Sequence, residues 1–184
     1  MNASGTKQHH GNRVYGLPAE RGALFIGYGN TLRSDDGVGP AVVLRLAKEH
    51  SGSAECLFLA LQQLSPELAL DLCAADRVIF VDASTQVPAG KIKIRRLGVE
   101  DPHPGRPFHT SSPEAVLGLT LALYEHAPIA WSVAIGVSDL SLGEGLSKEV
   151  RKCVDRLVRH LGHHVTRWSG ANPAGGKENS HGNA

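Results

Sequence analysis

The chain of 184 residues has few cysteines, few aromatics, almost no charge excess and no long apolar run. Its three cysteines, Cys56, Cys73 and Cys153, are far apart and form no Cys-x-x-Cys pair. This excludes a disulfide framework and the paired-thiolate zinc motifs, and suits small buried hydrophobes in a reducing compartment. Aromatics make up 5% of the residues, too few for base-stacking platforms. The formal net charge is +1, with acids and bases dispersed rather than blocked. No basic surplus is available to neutralise a phosphate backbone, so no nucleic-acid partner is expected. No apolar stretch approaches the ~20 residues that span a bilayer. Residues 1–21 are polar and lack the apolar core of a secretory signal, so a cytoplasmic protein without a membrane partner is expected.

What is present is ordinary globular material, 41% hydrophobic and 20% charged. The length suits one domain with a two- or three-layer core. Residues 1–21 and the Gly/Asn/Ser-rich residues 168–184 read as unstructured arms around a folded body at 22–167. Residues 23–27 and 78–81 are short continuous apolar runs, the pattern of strands covered on both faces. Residues 56–59 and 131–135 are similar, and 91–95 alternates Lys and Arg with Ile, which suits a strand near a sheet edge. Helices are expected over 40–49, after Ser65-Pro66-Glu67, after Ser112-Pro113-Glu114, and over 148–161. Alternating strands and helices imply an α/β fold: three layers, with a largely parallel five-stranded sheet and helices on both faces. In such sheets a site lies beyond the carboxyl ends of the strands.

Chemistry-bearing residues follow three of these segments. The first strand runs into a glycine-rich stretch, Gly27-Tyr28-Gly29-Asn30-Thr31-Leu32-Arg33-Ser34-Asp35-Asp36-Gly37-Val38-Gly39. Leu32 stands where a dinucleotide fingerprint needs its third glycine, and no Gly-Lys-Ser/Thr is present, so neither nucleotide motif is met. Adjacent acids before a helix serve either as caps or as a functional pair. Asp82 ends the run Val78-Ile79-Phe80-Val81, as a turn residue or as a site acid at a strand tip. His109 precedes the Ser112 helix start, with His103 a nearby competitor. Two carboxylates and one imidazole form an O, O, N set suited to a borderline metal with open positions. No Gly-x-Ser-x-Gly, His-Glu-x-x-His or Cys-His nucleophile motif is present.

The pattern G-x-G-N-x-L-x-x-D-D-G-x-G over 27–39 resembles the opening of the hydrogenase maturation endopeptidases. The likeness continues through Asp82, His109, Gly136 and the Gly145-Leu146-Ser147 turn, covering roughly 22–165. The resemblance implies that Asp36, Asp82 and His109 contact nickel and that Asp36 and Asp82 serve catalysis. It implies that nickel is presented by the substrate rather than held permanently. Asp36 stands where many relatives carry Glu, a longer arm. The stretch Thr110-Ser111-Ser112-Pro113 replaces a shorter, glycine-containing one. Residues 62–68 replace a glycine-rich stretch and are expected to help recognise a particular large subunit.

The implied activity is removal of the C-terminal extension from a nickel-loaded hydrogenase large-subunit precursor, by a monomeric protease of aspartic or nickel-dependent type. A metal-polarised carbonyl or water, with a carboxylate as base, would lower the barrier. The rivals are a nickel-dependent assembly chaperone that binds the precursor without cutting it, and a metal-dependent hydrolase of small amides or esters.

Overall fold

A computed structural model describes residues 12–13, 22–53, 55–99 and 112–169. Its five expected strands are all present: β2 (Gly22–Tyr28), β3 (Cys56–Leu61), β4 (Ala75–Ser84), β5 (Ile92–Arg96) and β6 (Ile129–Gly136). A sixth, β1 (Asn12–Arg13), falls within the segment expected to be an unstructured arm and pairs antiparallel with Leu59 and Ala60 of β3. The sheet order is β1-β3-β2-β4-β6-β5. β3, β2, β4 and β6 are mutually parallel, and β5 closes the far edge antiparallel to β6. β5 is largely exposed, as its alternating basic sequence predicts for an edge.

The strand alternation assigns the two faces. Phe25, Phe58, Ile79, Val81, Val133 and Ile135 pack against α1 (Val38–Glu49) and α4 (Lys148–Ser169). Their neighbours Leu24, Ile26, Leu57, Leu59, Val78 and Phe80 pack against α2 (Leu68–Cys73) and α3 (Pro113–Tyr124). The result is a three-layer α/β/α fold with the sheet buried on both sides. That explains why β2 is apolar without interruption, since neither face has water to satisfy.

The helix ends show how local sequence was read by the fold. Ser112 caps α3, accepting from the Ala115 amide at 3.2 Å, with Pro113 in the first turn. The same tripeptide at Ser65 behaves differently. Glu67 takes the cap position of α2 without a side-chain capping bond to the helix, and 65–67 form a tight turn whose carbonyls accept from Leu68, Ala69 and Leu70. α4 runs to Ser169 rather than stopping near Leu161, because Val165 and Trp168 extend its apolar stripe past Gly162.

One contact sets how closely α1 lies on the sheet. A Cβ on Gly27 would sit 2.0 Å from the Gly39 carbonyl, and one on Gly39 would sit 2.4 Å from the Val81 carbonyl. Strand β2 and the first turn of α1 therefore touch backbone to backbone. Gly39→Ala is expected to lower unfolding free energy by about 3 kcal/mol or more. Gly52→Ala, with open space around it, should change it by less than about 0.5 kcal/mol. Urea unfolding of the two variants measures the contrast, and equal effects would refute the close-contact account.

Candidate active site

The sheet changes direction between β2 and β4. From β2 the chain passes over α1 to β3 on one side, whereas β4 is followed by strands on the other. The crevice at the carboxyl ends of this central pair is the place where such folds bind ligands. Both candidate acids that the structure describes stand there. Asp82 lies near the carboxyl end of β4, and Asp36 lies in a short 3-10 helix, Ser34–Gly37, between β2 and α1.

The glycine-rich loop bends back over the strand tips. Gly29 takes a φ of 141°, and a Cβ there would meet the Asp36 carbonyl at 2.0 Å. The Asn30 amide donates to Asp36 Oδ2 at 2.9 Å, and the Leu32 amide donates to Asn30 Oδ1 at 3.0 Å. These bonds hold the half-buried Asp36 carboxylate against its own loop while leaving capacity for another partner.

The neighbouring acid has a different environment. Asp35 is fully buried, and its Oδ1 accepts from the Ser147 amide at 2.6 Å, at the start of α4. Its Oδ2 is buried without a hydrogen-bond partner among the described residues. The Asp35 amide donates to the Asp139 carbonyl, and the Ser34 amide donates to the Gly143 carbonyl. Asp35 thus fastens the glycine-rich loop to the segment after β6. The capping and functional readings of the acid pair divide between the two residues. Asp35 ties the loop down and Asp36 faces the crevice. Sequence reasoning missed this division, since nothing in the pair says which side chain the 3-10 turn directs inward.

Asp82 shares a sheet face with Tyr28, the last residue of β2, and the Tyr28 hydroxyl donates a hydrogen bond to its carboxylate. Burial pushes the Asp82 carboxyl up to about 6, and the nearby Asp36 charge adds to that. The bonds from Tyr28 and the Ala83 amide oppose it. Burial and the Asp82 charge likewise push the Tyr28 phenol well above its ordinary range, so it stays a donor. Tyr28 was not singled out from sequence. The usable signal was parity: Ile26 and Phe80 pack on one face, so residues 28 and 82 follow them to it.

His109 and His103 lie outside the described residues. Among those described, no group of three or more His, Cys, Asp or Glu side chains has the arrangement of a metal site. Of the three residues in the expected ligand set, only Asp36 and Asp82 are among those described. Two mutually repelling carboxylates, one of them partly desolvated, form a site that a divalent cation would relieve. On the outer side of the loop that holds Asp36 runs an open groove of about 390 Å³, lined by neither acid but by Gly29, Asn30 and Leu32, by Pro40 and Leu44 of α1, and by Leu61 and Gln62.

Because the folded protein prefers Asp82 protonated, stability is lost as pH rises from the unfolded value of 3.8 towards about 6. Asp82→Asn should therefore gain stability relative to the parent across that window, by up to about 3 kcal/mol at pH 7. The carboxyl carbon resonance should titrate near 6 in the parent and higher in Tyr28→Phe. A midpoint near 4 in both would refute the environment described.

No family model matches the sequence, and no curated protein matches it significantly. Solved structures do match. A hydrogenase 2 maturation peptidase from a Thaumarchaeota archaeon is 22% identical at a TM-score of 0.59, over 79% of this chain and 98% of its own. The NiFe hydrogenase maturation protease HycI from Thermococcus kodakarensis is 21% identical, also at 0.59, over 79% and 92%. The hydrogenase maturating endopeptidase HybD from E. coli is 18% identical at 0.57, over 79% and 93%. The chain has the fold of the hydrogenase maturation proteases.

Proposed function

We propose that the chain is an endopeptidase that removes the C-terminal extension of a nickel-loaded NiFe hydrogenase large-subunit precursor. The observation that carries this reading is the convergence of Asp36 and Asp82 at the central crevice of a sheet with that fold. Asp36 and Asp82, with His109 as third donor, complete the coordination of the nickel that the precursor brings, and the metal is thus part of the substrate. Once bound, it supplies Lewis-acid polarisation at the scissile carbonyl.

The chain's own residues do the rest. The bonds to the glycine-rich loop hold Asp36 in one orientation, so its carboxylate is placed before the substrate arrives. Asp82, whose carboxyl stands near 6 in the metal-free protein, would act through the oxygen that nickel leaves free, as general base and then acid. Tyr28 fixes which way that carboxylate faces. The groove on the outer side of that loop admits the extended tail, and Gln62 on its wall begins the 62–68 segment assigned to choosing the large subunit.

Intact-mass spectrometry of a nickel-loaded precursor incubated with the protein tests the reading. The parent should release a short C-terminal peptide. Asp36→Asn and Asp82→Asn should each slow release by at least about 100-fold, with circular dichroism and melting behaviour of a folded protein. Cleavage at parental rates by either variant would overturn the assignment of that acid. Stable binding with unchanged precursor mass would instead establish the chaperone, and turnover of small amides or esters alone would establish the small-molecule hydrolase.

A further inference from the structure

The last helix carries a histidine cluster that the carboxylate site does not use. His160, His163 and His164 fall within two turns of α4. Residues four apart lie one above the other on a helix surface, so His160 and His164 share a face. Their ring centroids are 5.3 Å apart, with planes at 73°. A metal held at ~2.1 Å by one nitrogen of each ring, with a roughly tetrahedral angle between them, sets the centroids about 5 Å apart. The two imidazoles lie edge to face at a centroid separation compatible with capture of one ion, and a turn of one ring about its χ2 brings a nitrogen of each to it.

The site is braced on one side. The His164 ring lies 5.3 Å from that of Trp168, which packs at 5.9 Å from Phe25, with the Arg77 guanidinium 5.6 Å from its centre. His164 is accordingly half-buried, whereas His160 is exposed and open to solvent. The cluster is also remote from the carboxylates. Trp168 sits against Phe25, midway along β2, and under Arg77 near the start of β4, and Ser169 lies beside Cys56 at the start of β3. Asp36 and Asp82 stand at the opposite, carboxyl ends of the strands.

We propose that His160 and His164 form a second metal site, a two-imidazole surface site for a borderline divalent cation such as Ni²⁺, Cu²⁺ or Zn²⁺. Imidazole nitrogen suits these ions and disfavours Mg²⁺ or Ca²⁺, which take oxygen ligands. Two protein ligands leave the remaining positions to water, so the bound ion is exchangeable.

The full chain, purified without an affinity tag, is titrated with NiCl₂, and Trp168 beside His164 reports binding by fluorescence quenching. Saturable quenching is expected. His160→Ala and His164→Ala should each weaken it at least tenfold, whereas Asp36→Asn and Asp82→Asn should leave it unchanged. A Trp168→Phe protein should lose the quenching and leave the Trp131 emission steady. As a measurement on the unsubstituted protein, substoichiometric Ni²⁺ should broaden the His160 and His164 ring resonances before those of any other histidine. Parental quenching in the double variant His160→Ala/His164→Ala, or first broadening at other histidines, would overturn the site. Equal response to MgCl₂ would overturn the ligand class.

Discussion

The contact between Gly27 and Gly39 governs the geometry on which the rest depends. Hydrogen atoms in place of two methyl groups let the first turn of α1 rest on the backbone of β2 and β4. With any side chain at either position the helix would stand off by the depth of a methyl group or more. The loop between them would then span a wider gap, and Asp36 would move away from the strand tips. The glycines of the 27–39 pattern therefore act on the chemistry only indirectly, through the distance between two layers.

That closeness also accounts for the unequal fates of the carboxylates. Three acids gather near one end of the sheet, and each is handled differently. Asp35 is withdrawn from water and used as a fastening for α4. Asp36 is held by its own loop and stays accessible. Asp82 lies between burial, which favours its neutral form, and Tyr28, which favours its charged form. Chemically similar side chains gain distinct behaviour from the number and direction of their donors, with Coulomb repulsion linking the last two.

Much of this architecture was legible because burial on both faces leaves a strong mark. β2 and the apolar centre of β4 cannot be mistaken once their uninterrupted runs are noticed, and β5 announces its edge by alternating charge. Placement of Asp82 at a strand tip followed from the same reasoning. What escaped was anything decided by side-chain direction over a distance. The Tyr28–Asp82 bond joins residues 54 positions apart, and the Asp35–Ser147 bond joins residues 112 apart. The two Ser-Pro-Glu tripeptides make the same point at short range. Only the one at Ser112 caps its helix with a side chain, since at Ser65 backbone bonds close the turn instead. The terminal helix runs to Ser169, past its expected end at 161, and Gly162 within it gives His50 room to approach.

The two borders of the sheet are defended by unlike means. β5 carries Lys93, Arg95 and Arg96, and this charge repels a second sheet that would add there. β3, at the other border, reads Cys-Leu-Phe-Leu-Ala-Leu and has no charge of its own. Its outer hydrogen-bonding groups at Leu59 and Ala60 are occupied by Asn12 and Arg13. Two residues of the polar stretch before β2 thus shield part of the strand best suited to templating cross-β growth. A protein trimmed to begin at Gly22 would keep every element of both cores and yet offer a bare, apolar strand to its neighbours.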